Sequence, residues 1–220
     1  MFDNISHSYD LLNHFLSLGI DRSWRKKAIE KLRSQTPKII LDVATGTGDF
    51  AIEAQKIHPD KTIGIDLSNG MLEMGRLKIK KKHLDDKIEL MQADCEFLPF
   101  ESNYFDAAIV AFGVRNFEDL SKGLQEIARV LKPGGTFIIL EFSKPKGMFK
   151  FLFNIYFKGV LPALGRMFSR DQRAYTYLPQ SVQEFPDGPD FMAFLERAGF
   201  KQMEEQRLTF GVCSLYSAIK

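Results

Sequence analysis

The chain is short of cysteine. Its 220 residues hold two, Cys95 and Cys213, too few for a disulfide framework, and both are expected to be reduced thiols in a cytoplasmic setting. It also lacks an excess of charge of one sign: 30 Lys and Arg stand against 28 Asp and Glu, a net +2. So even a balance gives little general attraction to nucleic acid, and no nucleic-acid partner is expected. No run approaches the roughly 18–20 uncharged apolar residues of a membrane-spanning helix. The opening Met1-Phe2-Asp3-Asn4-Ile5-Ser6 has no basic region followed by an apolar stretch, so no signal peptide is read there. No group of His, Cys and Asp has metal-ligand spacing, and no metal is expected. With no internal repeat and no low-complexity linker, residues 1–220 are expected to form one domain around one core.

What is present is an alternation. Tyr9, Leu12, Phe15 and Leu16 fall at helix spacing, as do Trp24, Ala28, Ile29 and Leu32, with Ser23 as candidate cap and Pro37 closing the helical region 1–36. Residues 39–44 are a short, almost continuous apolar run, the signature of a buried parallel strand. Further strands are predicted at 62–66, 88–91, 105–112 and 136–142. Helices are predicted after Gly48, from Asn69, and over 118–131, the last stopped by Pro133-Gly134-Gly135. Strands alternating with helices imply βαβ units and a mainly parallel sheet. The alternation lapses over 143–186, read as a helical insertion. It resumes with a helix over 191–198 and strands over 200–209 and 212–218, whose short Phe210-Gly211 link favours an antiparallel hairpin. The expected fold class is α/β: a Rossmann-like, seven-stranded, mainly parallel sheet ending in an antiparallel hairpin, the layout of class I methyltransferases dependent on S-adenosylmethionine (SAM).

The sharpest motif is Asp42-Val43-Ala44-Thr45-Gly46-Thr47-Gly48-Asp49, after a strand and opening a helix. Glycines there let the backbone approach a ligand. Asp66 ends the next strand, where a carboxylate can accept both ribose hydroxyls, and Asp94 follows the third strand, beside the adenine edge. Gly46-x-Gly48-x-x-Ala51 also satisfies the dinucleotide fingerprint, so glycine spacing alone leaves NAD open. The acids decide. Asp42 can orient the loop and the amino group of a methionine moiety; Asp49 occupies the helix N-terminus that a pyrophosphate would need. Acids around the pocket suit the sulfonium and ammonium of SAM and suit phosphates badly. Cofactor-binding candidates are Asp42, Gly46, Thr47, Gly48, Asp66, Asp94 and Cys95. Thr47 has a second reading as a helix cap, and Cys95 reads as a small buried residue rather than a reactive thiol. The Lys78-x-Lys80-Lys81-Lys82 run reads as a solvated face at a helix C-terminus.

Four segments add a resemblance: Phe112-Gly113-Val114-Arg115-Asn116-Phe117, Leu140-Glu141-Phe142-Ser143-Lys144-Pro145, Tyr177-Leu178-Pro179-Gln180-Ser181-Val182 and Leu208-Thr209-Phe210-Gly211-Val212. With the glycine motif, the opening Met1-Phe2-Asp3-Asn4-Ile5 and Trp24-Arg25, they resemble the ubiquinone/menaquinone biosynthesis C-methyltransferases over essentially the whole chain. That resemblance implies SAM-dependent methylation of a ring carbon in a prenylated hydroquinone, with cofactor contacts at Thr47, Asp66, Asp94 and Cys95. Demethylmenaquinol is the expected substrate because the chain starts directly at Met1-Phe2-Asp3 without an extension; a benzoquinol is the alternative.

Carbon methylation needs an electron-rich ring, which a phenolate supplies. A phenol-like pKa is about 10, so a nearby cation helps at neutral pH. Arg115 is the catalytic candidate, stabilising the phenolate or orienting a base water; its other reading is a structural tie to a carboxylate. Tyr177 and His14 are candidates for positioning or proton transfer. Residues 148–158 are dense in aromatics and broken by lysines, with Arg166, Arg170 and Arg173 after them. Such a segment can lie peripherally on the inner face of a membrane; a core-covering helix or a homodimer contact is the other reading. The insertion is read as a substrate lid. Competing functions are methylation of another small aromatic or lipid, a NAD-dependent oxidoreductase, and a scaffold without turnover.

Overall fold

The computed structural model describes residues 19–145 and 180–220. His14, Tyr177 and the aromatic segment 148–158 lie outside the described residues. The elements are α1 (Asp21–Leu32), β1 (Ile39–Val43), α2 (Asp49–Ala54), β2 (Lys61–Asp66), α3 (Asn69–Lys81), β3 (Ile88–Gln92), β4 (Phe105–Ala111), α4 (Leu120–Val130), β5 (Leu131–Phe142), α5 (Pro189–Arg197), β6 (Lys201–Leu208) and β7 (Cys213–Ile219).

The strands form one sheet in the order β3-β2-β1-β4-β5-β7-β6. The first five are parallel, and β7 runs antiparallel to both β5 and β6. The chain moves outward from β1 to β3, then crosses back to β4 on the other side of β1. That reversal opens a crevice at the carboxyl ends of β1 and β4, where doubly wound sheets bind ligands.

Side chains alternate between faces along each strand. On β1, Ile40 joins one buried layer and Leu41 the other. The Ile40 layer includes Ile109, Ile138 and Leu140 and is covered by Trp24, Ala28, Ile29 and Leu32 of α1 with Phe50 and Ala54 of α2. The Leu41 layer is covered by Leu124 and Ile127 of α4 and Phe191 and Leu195 of α5. Strands buried on both faces read as near-continuous apolar runs, which is why the alternation of elements is visible in the sequence.

Several boundaries differ from expectation. Ser23 lies inside α1, whose N-cap is Ile20, with no side-chain cap hydrogen bond. Asp119 caps α4, its side chain accepting from the Lys122 amide at 3.0 Å, so this helix begins at Leu120. β5 begins at Leu131, before Pro133-Gly134-Gly135, because Leu131 pairs with Phe105 across a register shift. Among the described residues no helix is long and apolar enough to cross a membrane.

Candidate active site

Both central strands end in a left-handed residue that is not glycine: Ala44 (φ 51°) after β1 and Phe112 (φ 59°) after β4. Such backbone costs of order 1–3 kcal/mol per residue and is characteristic of functional turns. The two turns are neighbours, since Val43 pairs with Val110. Gly113 lets them close up: a Cβ there would stand 2.6 Å from Ala44 Cβ. At Gly46 (φ 56°) a Cβ would meet nothing within 4 Å, so glycine supplies the left-handed turn and an open flank.

These turns wall a cleft of about 390 Å³, within the usual range for small-molecule sites. Asp42, Gly46, Thr47, Asp66, Asp94 and Cys95 all line it, so six of the seven sequence-derived cofactor candidates converge. Gly48, the seventh, is the left-handed N-cap (φ 79°) of α2. Thr47 is therefore not the cap; its hydroxyl accepts from Lys78 Nζ at 2.8 Å.

Asp42 is 1% exposed. Its Oδ2 accepts from Thr45 Oγ1 at 2.6 Å and the Ala51 amide at 2.9 Å, tying β1 to the glycine loop and to α2. Burial raises its pKa to about 7 against the pull of these bonds and of Arg25. Its Oδ1 is buried and without a hydrogen-bond partner. Asp66 Oδ2 accepts from the Gly46 amide at 2.8 Å and Oδ1 from the Ser68 amide at 2.9 Å, which fixes the carboxylate at the edge of the cleft. Asp94 Oδ1 accepts from the Glu96 amide at 2.9 Å. Burial, with Asp94 and Glu96 nearby, pushes the Cys95 thiol up to about 12, so it stays protonated and unreactive.

Two cations to which the sequence assigns no role at the site lie beside these acids, Arg25 in the lining and Lys78 outside it. Arg25 of α1 lines the cleft and pairs with Asp21 and, at 3.5 Å, with Asp49. Lys78 reaches Asp49 at 2.8 Å, so it is not part of a wholly solvated lysine face as expected. No spacing signal marks either one, because both arrive from helices that the sheet brings together.

Arg115 is not among the residues that line the cleft. Its Nη1 donates to Glu141 Oε1 and to the Phe112 carbonyl, both at 2.6 Å, and its guanidinium lies 5.5 Å from the Phe142 ring centroid. It stands directly behind the lining, since Phe112, Gly113, Asn116 and Phe117 of its own loop all face the cleft. Its Nε is buried and has no hydrogen-bond partner. Glu141 is legible as a lone acid in the apolar strand Ile138-Ile139-Leu140-Glu141-Phe142, a pattern that calls for a buried cation. Among the described residues no group of His, Cys, Asp and Glu is placed to hold a metal ion.

The lining carries six carboxylates (Asp42, Asp49, Asp66, Asp94, Glu96 and Glu118) against one guanidinium. An unsatisfied buried carboxylate oxygen among acids fits a ligand bearing sulfonium and ammonium charges, and disfavours the pyrophosphate of NAD.

Comparison with known proteins agrees. A sequence model described as the ubiE/COQ5 methyltransferase family matches residues 1–220. The chain is 54% identical over 222 residues to a demethylmenaquinone methyltransferase of Bacteroides fragilis, covering 100% of this chain and 91% of the relative. It is 46% identical over 223 residues to the ubiquinone/menaquinone biosynthesis C-methyltransferase UbiE of Geotalea daltonii, covering 100% and 94%. Among solved structures, a SAM-dependent methyltransferase of Thermotoga maritima, titled a possible histamine N-methyltransferase, superposes with a TM-score of 0.69 at 16% identity, covering 100% and 98%. That last likeness shows the fold, the class I layout expected from the strand pattern.

Proposed function

The chain belongs to the ubiE/COQ5 methyltransferase family and is a SAM-dependent methyltransferase, and from this premise we propose that it methylates a ring carbon of a prenylated hydroquinone, demethylmenaquinol in first place. The observation that carries this reading is the acid-lined cleft with its unpartnered Asp42 oxygen, in a chain matched end to end by relatives named for quinone methylation. SAM supplies an electrophilic methyl group. Asp66 would hold the ribose hydroxyls, Asp94 and Cys95 the adenine, and Asp42 with Thr47 the methionyl end.

Methyl transfer to carbon needs the ring as its phenolate, and the side chains must favour that anion. In this reading Arg115 works from behind the lining. Anchored on Glu141, it pins the Phe112 carbonyl and so aims the Gly113–Phe117 turn at the substrate, and its positive charge, one layer behind the lining, favours the anion on the ring oxygen. A guanidinium stays protonated and is no base. Tyr177 and His14, outside the described residues, remain candidates for positioning and proton transfer. Alignment of donor and nucleophile supplies most of the acceleration.

Residues 1–220 form one methyltransferase domain in this proposal, with 143–186 as lid. A polyprenyl tail keeps the substrate in a bilayer, which supports a cytoplasmic enzyme touching the inner membrane face through residues 148–158; a homodimer contact there is the competing reading. The test is purified protein with labelled SAM and both quinol types. Label in demethylmenaquinol is expected; label in the benzoquinol alone would move the assignment to the ubiquinone pathway.

A further inference from the structure

Among the described residues lining the cleft, Arg25 is the one cation. It comes from α1, a helix that precedes the sheet, and the surrounding packing holds it in place. Trp24 beside it is buried and donates through Nε1 to Thr209 Oγ1 at 2.8 Å, fastening α1 to the turn before β7. Asp21, one helical turn back and 2% exposed, ion-pairs with the guanidinium.

That pairing does not exhaust the group. Both ion pairs of Arg25 run through Nη2, to Asp21 and to Asp49. Asp49 is shared, and lies nearer to Lys78 (2.8 Å) than to Arg25 (3.5 Å). A guanidinium carries five donors in a rigid fork that matches a carboxylate. The donors on Nη1 and Nε are thus available on a side chain already immobilised, and a ligand that used them would gain without the entropic cost of ordering it.

The chemistry of the expected cofactor asks for such a group. The methionyl head of SAM is a zwitterion, and a cleft of acids alone would repel its carboxylate. Arg25 shares the lining with two acids: Asp49, which it contacts, and Asp42, whose carboxyl it draws down electrostatically. We propose that Arg25 anchors the α-carboxylate of SAM, with Asp42 and Asp49 facing the adjacent ammonium. This rests on the SAM reading above.

The test compares three ligands by calorimetry: SAM, decarboxylated SAM, and 5′-methylthioadenosine, which lacks the amino-acid head. Wild type is expected to prefer SAM over decarboxylated SAM by roughly 10- to 100-fold, the worth of a charged hydrogen bond. In Arg25→Gln that preference should collapse to within about threefold, while methylthioadenosine binds as in wild type. Arg25→Lys, which keeps the charge and loses the fork, should fall between, and with wild type it decides the matter if the Gln variant does not fold. A wild type that binds both forms of SAM equally, or an Arg25 variant that keeps the full preference, overturns the anchor while leaving the cofactor assignment standing. Failure of wild type to bind any of the three would remove the cofactor reading itself.

Discussion

Arg115 and Glu141 form an ion pair at 2.6 Å with side chains only 7% and 1% exposed, joining the loop after β4 to the end of β5. The Glu141 carboxylate also accepts from the Arg115 amide at 3.3 Å and the Phe142 amide at 2.8 Å. Removing one member strands the other in a medium that cannot solvate it. Glu141→Ala is therefore expected to cost about 3–5 kcal/mol of stability, read as a lowered denaturant midpoint. Glu141→Gln, which keeps hydrogen-bonding atoms, should cost less. Equal stability of the alanine variant and wild type would show that the pair is solvated.

Arg115→Ala separates binding from chemistry. The side chain does not line the cleft, so SAM affinity should stay within about threefold of wild type, whereas turnover should fall by roughly 10²-fold or more as the loop loses its aim. Calorimetry and a single-turnover assay on the same preparation check it. Loss of SAM affinity with unchanged turnover would contradict the assignment.

Much of this site is legible in the amino-acid sequence. Asp42, Asp66 and Asp94 stand out because parallel strands deliver their carboxyl ends to one edge, so an acid at a strand end is an acid in the crevice. Arg25 and Lys78 do not, for a physical reason. Their positions depend on how α1 and α3 pack on the sheet, and helix spacing tells which face is buried but not what the polar margin of that face will meet. The Arg115 loop is legible as a motif, but its direction is not: the left-handed turn at Phe112 and the close approach of Gly113 to Ala44 decide which residues face the cleft. Likewise the start of β5 at Leu131 is a tertiary matter, settled by pairing with Phe105 against the local preference of Pro133-Gly134-Gly135.

Asp42 should couple cofactor binding to pH. Its pKa is raised by burial to about 7 in the folded protein, from an ordinary value of 3.8. The folded state thus prefers the protonated acid: this contribution to stability is full below pH 4 and is lost as pH rises toward 7. A cationic ligand favours the ionised form, so its affinity should rise over the same interval and level off above. Asp42→Asn should lose both trends, gaining stability relative to wild type at about pH 8 compared with about pH 5. Thermal melts and SAM titrations at these two values suffice, and parallel pH profiles for the two proteins would refute the coupling.

Asp66→Ala removes the acceptor of the Gly46 and Ser68 amides as well as a ligand contact. Affinity for SAM and for methylthioadenosine should fall together, by roughly 10- to 100-fold each, because both ligands carry the ribose. A loss confined to SAM would place Asp66 at the methionyl end instead.

The junction of the two strained turns offers a double-mutant cycle. Gly113→Ala places a Cβ 2.6 Å from Ala44 Cβ and 3.1 Å from Val110 Cγ2, an overpacking expected to cost about 1–3 kcal/mol. Ala44 itself sits at φ 51°, where glycine is the unstrained residue. Ala44→Gly removes the nearest clashing atom and should rescue most of the Gly113→Ala loss, leaving the residual crowding with Val110. The two changes should therefore be non-additive by about 1 kcal/mol or more in the direction of rescue. Denaturant unfolding of the four proteins measures it. Additive losses would mean that the β1 and β4 turns do not touch in solution as they do here, and with that contact would go the reason for the cleft to open between them.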